Sequence, residues 1–129
     1  MESHESWAQF LNWLEGQHQT IKEWEEKALA ALNQGDTASY KECLTERAKT
    51  IERLPLDGQK VINALPEDLA DKVRKPLHRF AGGASMGLKI GSVFFLSALL
   101  YRDDHGAGEP DNLACLITKM RAEGLNFKD

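Results

Sequence analysis

From Trp7 to Ala31 the apolar and small residues recur three or four positions apart: Trp7, Phe10, Leu14, Ile21, Trp24, Ala28 and Ala31, with Leu11 and Leu32 widening the stripe. Such spacing lines up one face of a long helix, whereas a strand would alternate apolar and polar side chains. No stretch of the chain alternates in that way, so no sheet is predicted. An amphipathic helix of this length must lay its apolar face on other helices. The 129 residues suffice for a single domain with one core.

Ser3 or Ser6 can cap this first helix, and Asn33-Gln34-Gly35 ends it, since glycine readily takes the left-handed conformation of a helix terminus. Asp36 caps a second helix with Tyr40, Cys43, Leu44, Arg47 or Ala48, Ile51 and Leu54 inward. Pro55 and Asp57-Gly58 then impose a break. Pro66 opens another helix, with Glu67 and Asp68 at the positive end of its dipole and Pro76 as a kink. After Gly82-Gly83 the segment Ala84 to Tyr101 is apolar nearly all round, which predicts a central helix contacted on several sides. Residues 102–111 are polar and rich in turn formers, and Asp111 caps a last helix with Leu113, Leu116, Ile117 and Met120 inward. The expectation is an all-α, single-domain bundle of four to five helices around a central apolar, glycine-striped helix. The helical segments are about 6–33, 37–54, 58–64, 66–80, 84–101 and 112–123.

The chain carries a formal net charge of −4, which gives no general attraction to nucleic acid or anionic lipid. Neither is expected as a partner. The first residues lack the basic start and apolar run of a secretory signal, and the Met86 to Leu100 stretch is too short for a membrane span, so a soluble, cytoplasmic protein is expected. Cys43 and Cys115 are two thiols on apolar helix faces, without metal-knuckle spacing.

Several groups of residues carry candidate chemistry. Glu15 and His18, three apart on a helix, can share a metal, but di-metal bundles need two such pairs and only one is present. Asp103, His105, Glu109 and Asp111 offer carboxylate and imidazole ligands to a cation, a composition that turn formation also explains. Arg74, Lys75, His78 and Arg79, with Lys72, precede the start of the apolar helix, where free amides and guanidinium groups could hold an anion. Basic residues that complement the end of a helix dipole read the same way. No nucleophile motif such as Gly-x-Ser-x-Gly occurs, so nothing supports catalysis, and no cofactor is expected.

Gly83, Gly87 and Gly91 stand four apart on the apolar helix, each weakening it by about 1 kcal/mol relative to alanine. Something must be gained by close backbone approach. The stripe faces either the first or last helix of its own chain or its own copy across a symmetric dimer. Trp13, off the main stripe, suits an interface anchor or a cover for the core edge.

The segment AALNQGDTASYKECLTERAKTIERL, from Ala30 to Leu54, resembles the turn between the first two helices of flagellar export chaperones, with a Gly-Asp turn and Arg47 before Ile51. This covers about a fifth of the chain. It implies a protein that binds a partner helix, and no site residue is transferred. The residues themselves point to a non-enzymatic interaction or adaptor protein, self-associating or binding another protein. The alternative is a small-ligand or metal-binding protein using the 103–111 loop or the 74–79 cluster.

Overall fold

A computed structural model describes residues 2–101 and 109–124. All of its regular structure is helical: α1 (Glu2–Asn33), α2 (Thr37–Glu52), α3 (Leu54–Asp57), α4 (Gln59–Asn63), α5 (Glu67–Ile90), α6 (Val93–Ala98) and α7 (Asn112–Gly124). The long first helix runs through Gly16 unbroken and buries Trp7, Phe10, Leu11, Leu14, Ile21 and Ala28. It stops at Gly35, φ 77°, where Asp36 N–H donates to Ala31 O (2.9 Å) and Gly35 N–H to Leu32 O (3.0 Å). These are the paired bonds that close a helix on a left-handed residue. Asp36 then caps α2 by accepting from Ser39 N–H at 3.0 Å. The Ser39 hydrogen bonds hold its carboxyl below the ordinary value.

The α1–α2 hairpin is the frame: α5 lies on α2, α7 on α1, and the short α3 and α4 bridge between α1 and α5. Leu44, Ala48 and Ile51 of α2 meet Leu69, Val73, Leu77 and Ala84 of α5 in one core. Pro55 falls in the first turn of α3, where its missing N–H costs nothing. Gly58, between α3 and α4, lies under the Trp13 indole. A Cβ there would come within 2.7 and 2.8 Å of Trp13 Cζ3 and Cζ2.

The region after Pro66 departs from the sequence expectation. Instead of separate helices 66–80 and 84–101, α5 continues through Pro76 and Gly82-Gly83 to Ile90. The break comes at Gly91, φ 70°, whose N–H closes on Gly87 O at 2.8 Å, and Ser92 turns extended before α6. Two proline and glycine signals therefore fail where tertiary contact holds the helix together, since Leu77, Ala84 and Gly87 are buried on either side of them. The apolar 84–101 segment is a bent corner and not one central helix.

Candidate functional site

Folding back at Gly91 turns the apolar segment partly outward. Leu96 is buried and Leu99 packs against the core, but Met86 (64%), Ile90 (51%), Val93 (39%), Phe94 (73%) and Phe95 (49%) are exposed. Phe94 and Phe95 meet edge to face with ring centroids 5.7 Å apart. Val93 also joins Leu32 and Tyr40 along an open groove beside the start of α2, which extends the apolar surface to the end of α1. Scattered exposed apolar residues are normal; a contiguous group is the usual mark of an interaction surface.

The corner is anchored from beneath by Arg47, whose side chain is 1% exposed. Its Nη2 donates to Leu99 O (2.9 Å) and its Nη1 to Leu96 O (3.4 Å), carbonyls at the C-terminal end of α6. A six-residue helix cannot satisfy its own last carbonyls, and a cation there also complements its dipole. Glu25 balances the charge, its Oε2 lying 3.4 Å from Arg47 Nη2. The Tyr101 hydroxyl donates to Glu25 Oε1 at 2.5 Å, and the guanidinium stands 5.6 Å from the Tyr101 ring centroid. Burial, together with the hydrogen bond and charge of Glu25, raises the Tyr101 phenol well above its ordinary value. The spacing along α2 allows Arg47 or Ala48 at one inward position, and both are buried. Nothing local in the sequence shows that the partners of Arg47 lie on α1 and α6.

The glycines serve this corner from within. A Cβ on Gly87 would lie 3.5 Å from Leu96 Cδ2 and 3.8 Å from Leu99 Cδ1, and one on Gly83 would lie 3.8 Å from Leu99 Cδ2. Both therefore face side chains of their own chain, while Gly91 supplies the left-handed turn. Trp13 is half-buried over Gly58 and packs on the core.

The basic cluster is divided. Arg74 and His78 line a groove with Leu56 and Asn63, and Arg74 is held by Asp71 (3.2 Å) and Asn63 (2.7 Å). Lys75 and Arg79 line a different groove together with Lys72 and Lys119. The helix N-terminus expected beside them does not exist, because α5 passes through Gly82-Gly83 with its amides bonded internally.

Asp103 and His105 lie outside the described residues. Glu109 is exposed, and Asp111 is buried with both oxygens committed. Oδ1 accepts from Ala114 N–H (2.7 Å), capping α7 as expected, and Oδ2 accepts from His18 Nε2–H at 3.0 Å. His18 is thus a link between α1 and α7. Glu15 is likewise paired, with Arg121 of α7, and Trp7 Nε1–H donates to Met120 O at 3.2 Å. Among the described residues no three of His, Cys, Asp and Glu gather so as to hold a metal, and no helix is long and apolar enough to cross a membrane.

Burial by itself would raise the Asp111 carboxyl. The His18 and Ala114 hydrogen bonds and the charges of His18 and Lys22 outweigh it and hold the group below its ordinary value. A depressed carboxyl stabilises the fold above its unfolded value of about 4, and that contribution is lost as pH falls through the lower folded value. Asp111→Asn is therefore expected to lower the melting temperature near neutrality, with the gap to wild type closing below about pH 4. Melting curves across acid pH check this; a gap that stays constant would mean that ionisation of Asp111 is irrelevant to the α1–α7 link.

The exposure of Phe94 and Phe95 is not evident from the apolar composition of their segment. The Gly91-Ser92 pair, a helix stop followed by a helix cap, was the available signal. Comparison with protein-family models, characterised proteins and solved structures finds no match to the chain.

Proposed function

We propose that the protein is a non-enzymatic helical-bundle interaction protein that self-associates through the α5–α6 corner. The observation that carries this reading is the clustering of exposed apolar side chains. Among the described residues, Met86, Ile90, Val93, Phe94 and Phe95 are five of the eight large exposed hydrophobics, all within one bend of the chain. A second copy suits the corner because Lys89 is the only Lys, Arg, Asp or Glu between residues 86 and 101. Two chains, each of net charge −4, can therefore meet there without opposing their acidic side chains. The glycines contribute indirectly, by letting Leu96 and Leu99 close onto α5 while the aromatic pair faces out.

Sedimentation over a dilution series at micromolar concentration tests the reading. Wild type is expected as a dimer, and the double variant Phe94→Ser, Phe95→Ser as a monomer with unchanged helicity. Its dissociation constant should rise by about 100-fold or more, as for loss of central aromatic anchors. A wild type that sediments as a strict monomer throughout would overturn self-association.

A further inference from the structure

We infer that the groove between α5 and α7 is a docking site for an acidic amphipathic helix of a partner protein. The two helices leave between them an open groove of about 960 Å³. Pro76 and Phe80 on one side and Leu116 and Met120 on the other give it an apolar lining. Its walls carry cations, Lys75 and Arg79 on α5 and Lys119 on α7, all exposed and none paired with a carboxylate among the described residues. Lys72 is the exception, reaching Glu123 across the groove at 3.7 Å. Asp71 and Glu123 offset part of the positive charge at that end.

These cations are not explained by the helix dipole. Basic residues at 72–79 would complement the C-terminus of a helix ending near Phe80, but α5 extends to Ile90, so they fall in its middle, away from either terminal turn. Lys72, Lys75 and Arg79 also stand three and four apart, so like charges share one face, which disfavours the isolated helix. A ligand that neutralises them removes that cost. The stretch from Asp71 to Phe80 runs for about 15 Å, nearly three helical turns. An apolar floor between cationic walls matches a helix with an apolar stripe flanked by glutamates or aspartates, bound helix-in-groove. Charge complementarity chooses the occupant: a chain of net charge −4 presents here a local surplus of cations.

The test is selection from a displayed library of helical peptides against the wild-type protein. The recovered peptides are expected to carry acidic residues flanking an apolar i, i+3, i+4 pattern. Their binding should weaken about 10-fold or more in Lys75→Glu, Arg79→Glu, Lys119→Glu and at raised salt. Alkylation of Cys115, exposed on the groove rim, with a bulky maleimide in a Cys43→Ala background should block it. Binding should persist in Phe94→Ser, Phe95→Ser, so that failure here is distinct from failure of self-association. Peptides without acidic enrichment, no recovered binder, or binding indifferent to charge reversal would overturn the inference. So would a single-stranded oligonucleotide that binds more tightly than the peptides and is lost on the same reversals.

Discussion

Arg47→Ala is expected to destabilise the fold by about 3–5 kcal/mol, because removing one member of a buried ionic group leaves the others desolvated and unpaired. In this protein those others are the carbonyls of Leu96 and Leu99 and the buried Oε2 of Glu25, whose Oε1 keeps the Tyr101 hydroxyl. For a domain of this size that corresponds to a fall in melting temperature of roughly 10–20 °C. Arg47→Lys should recover only part of the loss, since an ammonium lacks the fork that reaches two carbonyls at once. Glu25 is about one-third exposed, so Glu25→Gln should cost much less. Urea denaturation of the three variants decides the matter: a loss under about 1 kcal/mol for Arg47→Ala would mean that solvent replaces the guanidinium without difficulty. Because α6 carries Phe94 and Phe95, the same variant should also weaken the self-association proposed for that corner.

Gly58→Val should cost about 3 kcal/mol, at the upper end of what overpacking does, because the space for even a Cβ is already taken by the Trp13 ring. The indole cannot fold away as a flexible chain would, and Phe10, 6.1 Å from it between centroids, packs behind it. The specific mark of this contact is non-additivity. In the background of Trp13→Ala the valine should be tolerated, giving a coupling of at least about 1 kcal/mol in a double-mutant cycle. Additive effects would place the cost of valine in the backbone of the α3–α4 junction and not against the ring.

The α1 and α2 helices were readable because their apolar periodicity and their Gly35-Asp36 boundary agree, each signal supporting the other. Asp111 was legible as a cap for the same reason: capping depends on residues within one turn. The α5–α6 region was misread because local signals there compete with packing. Pro76 and Gly82-Gly83 each disfavour helix, but the buried residues around them pay for its continuation. Hydropathy, moreover, measures the wish to be covered and not what does the covering. The 84–101 segment was read as interior on its composition, yet its aromatic pair points outward. Partners distant in sequence, such as Arg47 with Leu99 or His18 with Asp111, leave no local trace at all.

All three tryptophans lie on α1, and each looks at a different neighbour. Trp7 is held by a carbonyl of α7, Trp13 covers Gly58, and Trp24 is half-buried with the Lys27 ammonium 4.6 Å from its ring centroid. None of these three contacts is made with α5 or α6. Intrinsic fluorescence is therefore an instrument with a fixed field of view: through Trp7 and Trp13 its emission follows the seating of α7 and of the α3–α4 junction on the first helix. A fluorescence transition that lags one recorded by circular dichroism would time the opening of the corner against the rest of the molecule, without any label being attached.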